Sequence, residues 1–161
     1  MKTFFLFIAV ALSMAAGAQV TKVSLQASGL TCSMCSNSIN KALKTLDFIE
    51  KIEADVKTYT FEISFKANSN VDFNKIKKKV EDAGFTVSGF VATIYFNNVQ
   101  VKNNEPVTID NKTFLFINTR EQSLDGAKEI KVLDKGFVSS KEYKRNSFPV
   151  SSPGTYHATI N

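Results

Sequence analysis

Two cysteines stand three positions apart and are the only ones among the 161 residues of the chain. Cys32 and Cys35 form a C-x-x-C pair within the stretch GLTCSMCSNSINKAL, which runs from Gly29 to Leu43. Such a pair can bind a metal ion, exchange disulfides or close into a structural disulfide. A disulfide across so short a spacer removes little entropy from the unfolded chain, so a purely structural role is disfavoured.

The number of donors narrows the choice of metal. Two thiolates without further ligands suit a soft ion that accepts low coordination numbers, so Cu(I) is the first candidate and Hg(II) or Ag(I) would fit the same geometry. Zn(II) prefers four ligands, whereas the chain has a single C-x-x-C and a single histidine, His157, far away in sequence. Zinc is therefore less favoured. We expect a monomer, or a weak dimer bridged by a shared ion.

The apolar pattern around the pair alternates between strand and helix periods. It predicts the order β-α-β-β-α-β, from strands at 20–28, 48–56, 58–66 and 85–96, a first helix that begins near residue 33, and a second helix that Asn70 or Asp72 caps and Gly84 ends. This is the ferredoxin-like arrangement, in which two helices pack on one face of an antiparallel sheet. It would place Cys32 in the loop after the first strand and Cys35 in the first turn of the first helix. A helix N-terminus stabilises a thiolate there.

The same stretch resembles the heavy-metal-associated domain family. That family includes copper chaperones, metal-binding modules of copper-transporting ATPases and the periplasmic mercury-binding protein. The similarity rests on the run Gly29-Leu30-Thr31-Cys32-Ser33-Met34-Cys35, on the apolar helix positions Ile39 and Ala42-Leu43, and on EDAGF at 81–85. It covers about residues 20–87 and implies the ferredoxin-like fold.

The resemblance also implies roles for individual residues. Cys32 and Cys35 would be the metal ligands, and Thr31 would shape the loop between strand and helix. Leu30 occupies the usual methionine position, whose side chain anchors the loop in the core. Phe85 would either shield the metal loop or fill the core. Met34 is a soft group beside the ligands or an exposed residue, and His157 as a third ligand is disfavoured.

A thiol–disulfide oxidoreductase is the rival reading, because C-x-x-C at a helix start is also the thioredoxin arrangement. The chain has no tryptophan to precede the first cysteine, and it has no proline between Cys35 and Glu105. A cis-proline that faces the pair is therefore not available within the predicted domain. The strand and helix order also differs from the thioredoxin layout.

The second half of the chain has a different pattern of predicted secondary structure. Residues 90–161 contain strand-like runs separated by turn signals and one short helical segment, Ser139–Arg145. We expect an α+β chain in which a ferredoxin-like domain at 19–89 precedes a small all-β domain at 90–161. The favoured architecture for that domain is an oligonucleotide/oligosaccharide-binding (OB) barrel, with an immunoglobulin-like sandwich as the alternative. This half shows no catalytic or metal-ligand set, and we expect no enzyme activity.

The N-terminus resembles an export signal. Lys2 precedes an apolar run from Phe4 to Leu12, and Ala16-Gly17-Ala18 gives an A-x-A pattern, so residues 1–18 are predicted to be a signal peptide cleaved before Gln19. No later apolar run reaches the roughly 20 residues of a membrane span. The protein is therefore predicted to be secreted or periplasmic.

The net charge of +5 includes a lysine-rich helix face but no basic stripe with aromatics, so nucleic-acid binding is not expected. The sequence predicts capture, delivery or buffering of Cu(I), with a transporter or cuproprotein as metal donor or acceptor. An envelope interaction protein that acts through its C-terminal half, with a metal-sensing N-terminal domain, is the remaining alternative.

Overall fold

The structure is a computed structural model that describes residues 18–30, 33–146, 148 and 152–161. In these residues the chain forms eight strands and three helices. In chain order they are β1 (Gln19–Ser28), α1 (Ser33–Leu43), β2 (Ile49–Asp55), β3 (Thr60–Phe65), α2 (Phe73–Asp82), β4 (Thr86–Val101), β5 (Pro106–Ile109), β6 (Lys112–Phe116), β7 (Gln122–Val132), α3 (Ser140–Arg145) and β8 (Thr155–Ile160).

The first six elements confirm the ferredoxin-like arrangement. Their strands lie in the order β2-β3-β1-β4, and every neighbouring pair is antiparallel. The alternating apolar residues that predicted β3 also alternate in burial: Phe61, Ile63 and Phe65 are buried, and the residues between them are half-buried. The buried side of the sheet packs against apolar residues of both helices, among them Ile39 of α1 and Ile76 of α2.

Local signals set the limits of α2. The Asp72 side chain caps its N-terminus by accepting a hydrogen bond from the Lys75 backbone N–H at 3.1 Å. Gly84 follows the helix with a φ of +90°, a left-handed conformation that glycine adopts without strain and that ends a helix. The chain then turns directly into β4.

The second half of the chain extends the same sheet. β4 is 16 residues long. It pairs with β1 on one side and with β7 on the other, so the full order is β2-β3-β1-β4-β7-β8-β6-β5. The expected boundary near residue 90 falls inside β4. The expected OB-like barrel or immunoglobulin-like sandwich is not confirmed, because the described strands β5 to β8 lie beside β4 in one sheet.

Backbone hydrogen bonding gives a reason for this continuity. A ferredoxin-like sheet leaves the outer edge of β4 with unpaired N–H and C=O groups, and such an edge pairs readily with another strand. β7 takes that place through an antiparallel ladder that starts at Val91–Lys131 and, after an irregularity near Phe96, reaches Val101–Gln122. β6 and β8 form the parallel pair of this half, and the chain between them includes β7 and α3.

The two halves share one hydrophobic core. Aromatic rings from both halves meet around α2: the ring centroids of Phe73 and Phe90 are 4.9 Å apart, and those of Phe73 and Tyr156 are 5.4 Å apart. Phe137 lies edge-on to Phe90 at 5.1 Å. A smaller cluster of Ile117, Leu133 and Val138 with Tyr143 and Phe148 lies beside α3. α2 is therefore packed between the first helix, the sheet and the C-terminal half.

The predicted signal peptide lies almost entirely outside the described residues, which begin at Ala18. Within the part of the chain that is described, no helix is long and apolar enough to cross a membrane.

Candidate metal centre

The candidate site is the connection between β1 and α1. β1 ends at Ser28, and Gly29 follows with a φ of +90°, which turns the chain away from the sheet. Leu30 is buried in the main hydrophobic core, and its role in anchoring the metal loop stays a prediction. Thr31 and Cys32, the next residues of the predicted site, lie outside the described residues.

Cys35 lies in the first turn of α1, again as predicted. Its side chain is half-buried and packs against the main hydrophobic core. The first turn of α1 carries no acidic residue, so no carboxylate of the helix opposes negative charge at this end. The backbone N–H groups of a helix N-terminus carry partial positive charge, which favours a thiolate or a metal–thiolate complex. The joint ligation by Cys32 and Cys35 stays a prediction.

Phe85 lies directly against the loop. A Cβ atom added to Gly29 would be 3.8 Å from Phe85 Cδ1, and the Phe85 ring also packs against the main core. The Phe85 ring therefore packs against the core and lies beside Gly29, and its role in shielding the metal loop stays a prediction.

Two hydroxyl groups lie together where β1 ends and β4 begins, next to the loop. Ser28 Oγ and Thr86 Oγ1 are 2.7 Å apart, and these residues form the last aligned pair of β1 and β4 before the loop. The pair was not singled out from the sequence, because its members are far apart along the chain and meet only through strand pairing.

Met34 and His157 occupy very different surroundings. Met34 is 78% exposed at the start of α1, with its carbonyl accepting a hydrogen bond from the Ser38 hydroxyl. His157 is buried on β8, and its Nδ1 is 2.7 Å from Asp134 Oδ1. β8 lies three strands away from β1 in the sheet. Met34 is thus available to solvent beside Cys35, whereas the imidazole of His157 is engaged with a carboxylate in the C-terminal half.

Among the residues that the structure describes, no group of three or more His, Cys, Asp or Glu side chains could hold a metal ion. The ligand pair that the sequence predicts, Cys32 and Cys35, belongs to the segment that leads from β1 into α1.

The fold and the site together define a ferredoxin-like α+β module with a C-x-x-C loop that leads into its first helix. Residues 24–86 match the family model of the heavy-metal-associated domain, and the chain belongs to that family. The match ends at the first residue of β4, so it leaves most of that strand and the whole C-terminal half unassigned.

Curated relatives are similar to this chain over the same region. The chain is 36% identical to the copper-transporting ATPase of Saccharomyces cerevisiae over 64 residues, which are 40% of this chain and 6% of that protein. It is 30% identical to the periplasmic component of the mercuric transport protein of Pseudomonas fluorescens over 66 residues, 41% of this chain and 71% of that protein. The chain spans only 6% to 8% of the length of the copper ATPases that it matches.

Solved structures match the same part of the chain. The yeast copper transporter domain Ccc2a, determined in apo and Cu(I)-loaded states, is 31% identical and covers 42% of this chain and 90% of that domain, with a TM-score of 0.37. Oxidized MerP from Ralstonia metallidurans is 27% identical and covers 44% of this chain and 94% of that protein, with a TM-score of 0.39.

Proposed function

We propose that this protein binds a soft metal ion through Cys32 and Cys35 and passes it to a partner protein. The observation that carries the proposal is the position of Cys35. It lies in the first turn of α1, behind a loop that Gly29 turns and Leu30 anchors, within a heavy-metal-associated domain. Cu(I) is the proposed cargo, with Hg(II) second, since relatives are named for copper and for mercuric transport.

The chemistry follows from the donor set. Both thiols lose their protons when the ion binds, and the helix N-terminus stabilises the resulting negative charge. A site with two thiolates leaves room for an incoming donor, so transfer can proceed by ligand exchange, in which a partner's thiolate binds before a cysteine of this chain leaves. Leu30 is buried in the main core and Phe85 packs against that core beside Gly29, so both lie at the base of the loop.

The proposal extends to the whole chain. We propose that it is exported, with cleavage before Gln19, and that it acts by binding rather than by catalysis. Two relatives of this chain are named as periplasmic components of the mercuric transport protein, which supports the proposed location. Export brings an oxidising environment, so the pair must receive its metal before it forms a disulfide, or be reduced first.

A competition titration tests the proposal. The reduced protein is titrated anaerobically with Cu(I) against a chelator of known affinity, together with Cys32→Ser, Cys35→Ser and the control Met34→Leu. We expect a one-to-one site that both serine variants lose by more than about 100-fold in affinity, because one thiolate cannot replace two. Met34→Leu keeps both cysteines and should retain the site.

The outcomes separate the alternatives. Cu(I) binding that persists in both serine variants would contradict the proposal and move the metal site elsewhere. Absence of tight binding, together with reduction of insulin disulfides by the dithiol form, would favour the oxidoreductase. Tight binding without transfer to any acceptor would indicate buffering or metal sensing instead of delivery.

A further inference from the structure

The turn between β2 and β3 carries an aromatic residue in an unfavourable backbone conformation. Among the residues that the structure describes, seven that are not glycine have a positive φ, and six of these are asparagine or aspartate, which tolerate that region: Asn68, Asn98, Asn104, Asp110, Asn111 and Asn118. The seventh is Tyr59, with a φ of +54°. A bulky side chain is strained there, so asparagine or glycine would suit the turn better.

Burial does not account for this choice of residue. Tyr59 is 38% exposed, and Val56 in the same turn is exposed as well. In the described part of the chain, the exposed large hydrophobic side chains are those of Met34, Val56, Tyr59 and Tyr95. Tyr95 pairs with Gln19 at the start of β1, whereas the other three lie at the end of the sheet that carries the metal loop. Exposed apolar side chains that gather in one place indicate an interaction site.

The turn 56–59 lies next to the strand end that leads into the metal loop. The Ala27 backbone N–H donates a hydrogen bond to the Tyr59 carbonyl at 3.0 Å. β1 ends one residue after Ala27, and Gly29 then turns the chain toward the segment that contains both cysteines. The turn therefore borders the base of the loop on the side of the sheet edge formed by β2 and β3.

We propose that the turn 56–59 is part of the surface that the metal-exchange partner contacts, with Tyr59 as an aromatic anchor, and that this partner carries apolar side chains beside its own soft metal ligands. This inference rests on the proposed function, because it concerns the same metal loop. Ligand exchange brings the partner's donors to the loop, so its surface also comes within reach of the turn. Tyrosine suits such a contact because its rigid ring offers a large area and loses little conformational entropy on binding.

The variant Tyr59→Asn separates a docking role from a structural one. Asparagine tolerates the positive φ, so this variant should unfold at the same temperature as the wild type or at a higher one, although the ring is lost. A melting temperature clearly below that of the wild type would overturn the inference, because the fold itself would then require the ring.

Transfer kinetics test the contact with defined acceptors. The Cu(I)-loaded full-length protein is mixed with two synthetic C-x-x-C peptides, one flanked by leucines and one flanked by serines, and metal transfer is followed at low and high salt. Wild type, Tyr59→Asn and the control Tyr95→Asn are compared. Tyr95 is also an exposed aromatic residue, but it lies on β4 at the end of the sheet remote from the loop.

We expect the wild type to deliver Cu(I) faster to the leucine-flanked peptide than to the serine-flanked one. Tyr59→Asn should reduce that preference by about threefold or more, whereas Tyr95→Asn should change it much less. The preference should persist at high salt, since salt screens charges and does not weaken apolar contacts. No preference in the wild type, a preference that disappears at high salt, or an equal loss in both variants would overturn the inference.

Two further measurements on the same samples assign any failure. Concentration-dependent dimerisation of the Cu(I)-loaded wild type that Tyr59→Asn abolishes would assign the turn to a second copy of this chain and overturn the inference. In chelator competition, unchanged Cu(I) affinity together with unchanged peptide preference in Tyr59→Asn refutes the docking surface alone. Absence of a Cu(I) site in the wild type itself would refute the metal site and with it the inference.

Discussion

Replacing Phe137 by alanine should destabilise the whole chain, including the heavy-metal-associated region to which Phe137 does not belong. The Phe137 side chain is 2% exposed and lies against Phe90 at 5.1 Å and Tyr156 at 5.8 Å. Burying an aromatic side chain removes roughly 150 Å² or more from water, which contributes about 4 kcal/mol at about 25 cal/mol per Å². Measured Phe→Ala substitutions in cores cost about 3–5 kcal/mol.

We therefore expect Phe137→Ala to lower the free energy of unfolding by about 4 kcal/mol, a large part of the roughly 5–15 kcal/mol that stabilises a typical domain. For a chain of this size the melting temperature should fall by about 8–16 °C. Tyr95→Ala is the matched control, because Tyr95 is a 57% exposed aromatic residue of β4. It should cost less than about 1 kcal/mol.

The assay needs one probe for the whole chain and one for the N-terminal half. Circular dichroism in urea reports overall unfolding. Alkylation of Cys35 in a Cys32→Ser background reports exposure of α1, because Cys35 is half-buried against the core. Both probes should shift together in Phe137→Ala. Separate transitions, with Cys35 protected at the urea concentration where the C-terminal half unfolds, would refute the shared core.

Two further perturbations have defined outcomes. Gly29→Ala forces a non-glycine residue to a φ of +90°, so it should lower the free energy of unfolding by about 1–2 kcal/mol and weaken Cu(I) binding. Gly29→Asn should lose less stability and affinity, since asparagine tolerates a left-handed backbone better. Stability and Cu(I) affinity of Gly29→Ala equal to those of the wild type would contradict the assigned turn. Burial, with smaller contributions from Asp72 and Asp134, raises the pKa of Tyr156 to about 12. The folded chain therefore keeps a phenolic proton that the unfolded chain loses above about pH 10. The free energy of unfolding should consequently fall between about pH 10 and pH 12. Tyr156→Phe should make that fall shallower in urea titrations at stepped pH, and an unchanged slope would show that other groups cause it.

Much of the N-terminal fold was readable in the sequence because its signals are local. Alternating apolar residues predicted β3, and Asp72 and Gly84 marked the limits of α2 through capping and a left-handed turn. Gly29 and the C-x-x-C spacing identified the loop. These features depend on residues that are close together along the chain, so their physical consequences hold before the chain folds into its tertiary structure.

The strands and the short helix of the C-terminal half were also visible locally, but their arrangement was not. The sequence does not specify that β7 pairs with the outer edge of β4 or that β6 and β8 run parallel, because these pairings join residues 21 to 42 positions apart and many registers satisfy the same alternation. The expected OB-like barrel followed from the number of short strands, which does not determine how they pair.

What the sequence determined by itself is the pair of cysteines, the place of Cys35 in the first turn of a helix and the family of the N-terminal half. What tertiary structure decided is the surroundings of that pair. Phe85 meets Gly29, Ser28 meets Thr86, and Lys135 reaches the same end of the sheet only because β1, β4 and β7 lie side by side. Local chemistry identifies the candidate metal loop, and the shared sheet and core determine which side chains lie beside it.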